Sequence, residues 1–68
     1  MINTELLSTF LEVAKFKNLR VVAQRMCISQ PALTKRIKNL EEQMGISLFL
    51  RKRSGMDLNS FGKSLLEH

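Results

Sequence analysis

The stretch LRVVAQRMCISQPALTKRIKNLEEQMG, residues 19–45, decides the fold. Leu19, Val22, Ala23 and Met26 fall at i, i+3, i+4 and i+7, which makes one apolar helical face over 19–26. Val21 and Val22 are β-branched, so this short helix depends on tertiary packing. Cys27-Ile28-Ser29 breaks the pattern. Ser29 has the chemistry of an N-cap, and Pro31 falls in the first turn, where its missing N–H costs nothing. The next helix runs from Gln30 to about Met44 on the stripe Leu33, Ile37, Leu40 and Met44, and Gly45 stops it. Two helices joined by about three residues, the second opening on a polar cap, form a helix-turn-helix. Ala23 is small enough for a close crossing, Ile28 can plug the space between the helices, and Cys27 is expected to pack in the turn.

On the N-terminal side, Leu6, Leu7, Phe10, Val13 and Ala14 predict a helix from Asn3 to about Phe16. Asn3 or Thr4 would cap it, with Glu5 in its first turn and Lys15 and Lys17 at its end. On the C-terminal side, 46–50 is apolar and reads as a short strand, 51–55 as a basic turn, and 56–58 as a returning strand. Asn59 or Ser60 then caps a last helix containing Phe61, Leu65 and Leu66, side chains left partly bare and open to self-association. The expected architecture is mainly α: a three-helix core and a β-hairpin wing over 1–58, followed by the start of a further helix over 59–68. Met26, Met44 and Met56 read as core filler. Glu41 reads as structural, pairing a basic residue near the end of the third helix.

Sixty-eight residues of 7.8 kDa make one small domain, which excludes barrels and dinucleotide-binding enzymes by length. One cysteine, Cys27, and one histidine, His68, exclude a disulfide scaffold and a zinc finger. Paired carboxylates, metal-ligand clusters and a glycine-rich phosphate loop are missing from the sequence, so neither catalysis nor a cofactor is expected. Without a long apolar run or a signal-peptide pattern, the expectation is a soluble cytoplasmic chain with no membrane partner.

The charge points to a partner. Eleven Lys and Arg against six Asp and Glu give a net charge of +5 and a pI near 10.0. Glu12 and Glu41 bracket a stretch without an acid, and that stretch holds Lys15, Lys17, Arg20, Arg25, Lys35, Arg36 and Lys38. A solvated helix surface interleaves signs, so a one-signed run across a helix-turn-helix points to phosphate. Ser29, Gln30, Pro31, Ala32 and Thr34 open the third helix with small or polar side chains and free N–H groups. That end fits a major groove about 12 Å wide. Two competing readings are a module whose basic face meets an acidic protein, and RNA binding. RNA readers use exposed aromatics, whereas the four Phe here sit on apolar patterns.

The segment ISQPALTKRIKNLEEQMGISLF, 28–49, resembles the N-terminal DNA-binding domain of LysR-type transcriptional regulators. Leu7, Phe10, Val13 and Ala14 before it, and Arg51, Leu58 and Gly62 after it, fit the same pattern. The resemblance implies a winged helix-turn-helix that binds double-stranded DNA. It also implies a homodimer or higher oligomer built through a linker helix, and a small-molecule effector bound by a further C-terminal domain. Gln30, Pro31, Ala32, Thr34 and Lys35 fall where the family's recognition helix meets the major groove. Gln suits adenine N6/N7, Lys suits guanine O6/N7, and Pro31 and Ala32 offer apolar contact to a thymine methyl. Arg36 and Lys38 are expected at phosphates, and Asn18 and Arg20 at the DNA backbone. On the wing the family pattern has two arginines three apart. Here Arg51 is present, Ser54 takes the second position, and Lys52 or Arg53 substitutes one or two residues early. Val21-Val22 also departs from the smaller pair usual before Ala23.

Overall fold

The computed structural model describes residues 4–53 and 55–67. The alternative cap Asn3, the wing position Ser54 and the terminal His68 lie outside them. The order is α1 (Thr4–Phe16), α2 (Leu19–Met26), α3 (Gln30–Met44), β1 (Phe49–Lys52), β2 (Gly55–Leu58) and α4 (Ser60–Glu67).

Each helix boundary has a local cause. Lys17 ends α1 in the left-handed region, φ 56°, and its N–H donates to Val13 O at 2.9 Å. Asn18 caps α2, its Oδ1 accepting the Val21 N–H at 3.1 Å. Cys27 closes α2, also left-handed at φ 59°. Ser29 caps α3 by accepting the Ala32 N–H at 3.2 Å. Gly45 ends it, donating to Glu41 O and Glu42 O. Asn59 caps α4, accepting the Gly62 N–H at 2.8 Å.

The buried apolar core draws on α1, α2, α3 and the hairpin, and α4 adds Leu65 at its margin. Phe10 and Val13 of α1, Val22 of α2, Leu33 and Leu40 of α3, and Leu48 are almost wholly inaccessible, and Phe49, Met56 and Leu58 close it from the hairpin. Phe10 and Phe49 meet as tilted rings with centroids 5.7 Å apart. Leu19, Met26, Ile28 and Met44 pack on the margin.

Four expectations need correction, the last of them the partner of Glu41. Leu7 is about half exposed, because the buried face of α1 is centred on Leu6, Phe10 and Val13 and includes Thr9. The Thr9 hydroxyl satisfies itself by donating to Glu5 O at 2.9 Å, so a polar residue sits in the core at little cost. Cys27 is exposed, since the left-handed turn leaves it outside while Ile28 takes the half-buried place. The first strand begins at Phe49, not at 46, and the basic residues Arg51 and Lys52 belong to it.

That shift comes from Glu41. Its Oε2 accepts the Leu48 N–H at 2.6 Å, the Phe49 N–H at 3.2 Å and the Ser47 hydroxyl at 3.2 Å. Ile46 N–H donates to Glu41 O. With those donors committed to α3, antiparallel pairing starts only at Phe49↔Leu58 and runs through Leu50↔Asp57 and Arg51↔Met56 to Lys52↔Gly55. Glu41 is structural, but its partners are backbone amides and a hydroxyl rather than a basic side chain.

The hairpin is pinned at both ends. At one end Met56 N–H donates to Lys17 O at 3.0 Å, and a Cβ on Gly55 (φ 140°) would fall into that same carbonyl group. At the other, Asn59 donates to Leu48 O from its backbone and to Ser47 O from its amide, and a Cβ on Gly62 would collide with Leu48 O. The whole is a winged helix-turn-helix: a three-helix core with a two-stranded wing against the α1–α2 turn. Among the described residues no helix is long and apolar enough to cross a membrane.

Candidate nucleic-acid interface

Helical spacing sets what α3 offers outward. With Leu33, Ile37 and Leu40 buried, residues 31, 35 and 38 lie on the opposite side and residue 34 on the flank. Ser29, Gln30, Pro31, Ala32, Lys35 and Lys38 are exposed, and Thr34 is half-buried. Ser29 spends its side-chain oxygen on the cap.

The start of α3 does not stand alone. An open cleft of about 410 Å³ brings Gln30 together with Asn18 and Arg20 from the start of α2 and with Arg51, Lys52 and Arg53 from the wing. A second hollow of about 250 Å³ continues along α3 and joins Thr34 and Lys38 to Arg51. Arg51 therefore stands between α3 and the hairpin. Its place follows from the pleat, in which Phe49 and Arg51 share a face with Met56 and Leu58, while Leu50, Lys52 and Asp57 lie on the other.

Ion pairing sorts the cations. Among the described residues from 19 to 58, Arg25 pairs with Glu12 at 3.3 Å, Arg36 with Glu5 at 3.3 Å and Lys52 with Asp57 at 3.3 Å. Arg25 also lies over the Phe16 ring, 4.2 Å from its centroid. Arg20, Lys35, Lys38, Arg51 and Arg53 have no carboxylate within ion-pair distance among the described residues. Of these five, Arg20, Lys38, Arg51 and Arg53 line the two hollows, and Lys35 lies on the outward side of α3. Arg36, expected at phosphate, is turned to α1.

Asp57 is the functional-site neighbour that sequence reasoning passed over. Its carboxylate accepts the Leu58 N–H at 2.8 Å and meets Lys52 at 3.3 Å and Lys17 at 3.5 Å. The Leu58 amide first, then Lys52, hold its pKa below the usual 3.8. The signal was present, since Asp57 is the one acid between Glu42 and Glu67. No group of three or more His, Cys, Asp or Glu among the described residues could hold a metal ion.

The arrangement has relatives. HTH-type transcriptional regulator HdfR of Salmonella newport (strain SL254) is 39% identical over 66 residues, covering 97% of this chain and 24% of that protein. The chain thus spans about a quarter of the length of the curated relatives it matches. The solved CbnR_DBD–DNA complex superposes with a TM-score of 0.89 at 32% identity, over 97% of this chain and 76% of that one. Vibrio fischeri DarR in complex with DNA gives 0.89 at 34% identity, over 96% of this chain and 22% of that one. The family model of the bacterial regulatory helix-turn-helix proteins, lysR family, matches residues 4–63, which take in α1, α2, α3, the hairpin and the opening of α4. The chain belongs to the LysR family of bacterial regulatory helix-turn-helix proteins.

Proposed function

We propose that this chain is the sequence-specific, double-stranded-DNA-binding unit of a LysR-type bacterial transcriptional regulator acting in the cytoplasm. The observation that carries the reading is the set of uncommitted cations at the α3–wing hollows: Arg20, Lys38, Arg51 and Arg53 line them with no carboxylate in ion-pair reach among the described residues, and Lys52 is the one lining cation that is paired, to Asp57. In this reading α3 enters the major groove. Gln30, Pro31, Ala32, Thr34 and Lys35 meet base edges, and Lys38 meets phosphate. Asn18 and Arg20 at the start of α2 hold the DNA backbone. Arg51 sits where the hairpin meets α3, and Arg53 at the wing tip lies toward the minor groove. Ser29 acts through its cap, and Arg36 through its hold on Glu5. Residues 59–68 open a linker helix through which two copies, or more, assemble on paired half-sites, and a small-molecule effector acts through a further domain. The CbnR_DBD and DarR complexes with DNA described above support this reading.

Selection of bound sequences from a random duplex pool, followed by a panel of single-base variants, tests it. Lys38→Ala is expected to weaken all duplexes alike and to lower the magnitude of the log–log salt slope by about 0.9. Gln30→Ala is expected to relax preference at one base position, with about 1–3 kcal/mol of discrimination lost there. A parent chain that binds every duplex equally overturns sequence-specific recognition.

A further inference from the structure

Asp57 lies on the wing, beside hollows whose one lining acid, Glu41, spends its carboxylate on the Leu48 and Phe49 amides and the Ser47 hydroxyl. Its position is fixed three ways: by pairing with Leu50 in the ladder, by the Leu58 amide on its Oδ1, and by the neighbouring Met56–Lys17 backbone bond that pins the strand. Held there, the carboxylate lies between two ammonium groups, Lys52 at 3.3 Å from Oδ2 and Lys17 at 3.5 Å from Oδ1. Lys52 borders the cleft that holds Gln30, but it stands on the hairpin face opposite Arg51 and its ammonium group is held by Asp57.

We propose that Asp57 is a positioning residue that sets the electrostatic footprint of the interface: it withholds Lys52 and Lys17 from phosphate, leaving the wing to act through Arg51 and Arg53. The proposal rests on the DNA-binding reading above. An exposed Lys–Asp pair is weak alone, but this carboxylate is shared by two lysines and is itself anchored by a backbone amide. A lysine already matched by a fixed carboxylate adds little to counterion release, the quantity that sets salt-dependent affinity for DNA of any sequence. The consequence is a basic wing with a smaller reach for arbitrary duplex than its three consecutive cations imply.

The test is the salt dependence of binding to a duplex of random sequence by the parent chain, Asp57→Asn, Lys52→Ala and the double variant. Asparagine keeps an oxygen for the Leu58 amide and removes only the charge. Asp57→Asn is expected to bind more tightly, with a slope steeper by about 0.9 for each lysine released. Lys52→Ala alone is expected to leave the slope unchanged, while in the Asp57→Asn background it removes about 0.9. A parental slope in Asp57→Asn, or a drop of about 0.9 in Lys52→Ala alone, overturns the proposal and leaves DNA binding intact. A parent that binds no duplex at low salt overturns the DNA reading and this proposal with it. Should Asp57→Asn fold poorly, Lys52→Ala alone still decides, because it leaves Asp57 paired with Lys17.

Discussion

The helix-turn-helix and the wing touch the same hollows but are held by opposite means. In α2 and α3 the determinants are near neighbours in sequence: Asn18 and Ser29 cap, Gly45 stops, and Leu33, Ile37 and Leu40 repeat at helical spacing. In the hairpin they are distant. Glu41 holds the amides of Leu48 and Phe49, Lys17 O holds Met56, and two glycines leave room for carbonyls from other elements. The helix pair therefore loses stability mainly through cavities, whereas the wing's placement hangs on a few backbone contacts that leave little slack.

The sharpest way to probe that contrast is a cavity in the helix pair. Leu33→Ala removes a fully buried side chain and is expected to cost about 2–5 kcal/mol, a large part of what so small a domain has. A thermal melt overlaying the parent would mean that α3 is not held by its stripe. Gly55→Ala probes the other side. The backbone at φ 140° and the Lys17 carbonyl both oppose a Cβ, so about 1–3 kcal/mol is expected from the strain alone. Far-ultraviolet circular dichroism at low temperature should keep its helical signal while DNA affinity falls; loss of helix would show that wing and core are one unit. Glu41→Ala should cost about 1–3 kcal/mol, because the amide of the buried Leu48 loses its acceptor. Unaltered denaturant unfolding would remove the link between α3 and the wing.

The smallest effect is in acid. Asp57 has a lowered pKa in the fold, so its contribution is complete above the usual 3.8 and is lost as pH falls through the lowered value. Melting temperatures followed downward from about pH 5 should therefore fall slightly less in Asp57→Asn than in the parent. Identical acid profiles would mean that the carboxylate stabilises nothing.

The same contrast explains what could be read from the chain alone. Periodicity and caps are local, so α2 and α3 were legible to the residue. The strand start was not, because the Leu48 and Phe49 amides answer to a carboxylate on another element. Leu7 looked buried because counting apolar residues at helical spacing does not reveal that Thr9, satisfied by Glu5 O, completes the inner face. On α3, the outward exposure of Gln30, Lys35 and Lys38 was legible from the cap and the stripe. That Arg36 turns inward to Glu5, and Lys52 to Asp57, depended on which acids the fold brings near.

The hydrogen bond from the Met56 amide to the Lys17 carbonyl joins a strand to a helix end far away in the sequence. That single amide proton is therefore a built-in gauge of docking. It exchanges with solvent only when the hairpin leaves the α1–α2 turn, whether by local opening or by global unfolding. Its protection factor, set beside that of an amide in the middle of α3, measures how much of the domain's cooperativity reaches the wing. Following the same proton while duplex is added separates a wing that is rigid beforehand from one that tightens on contact.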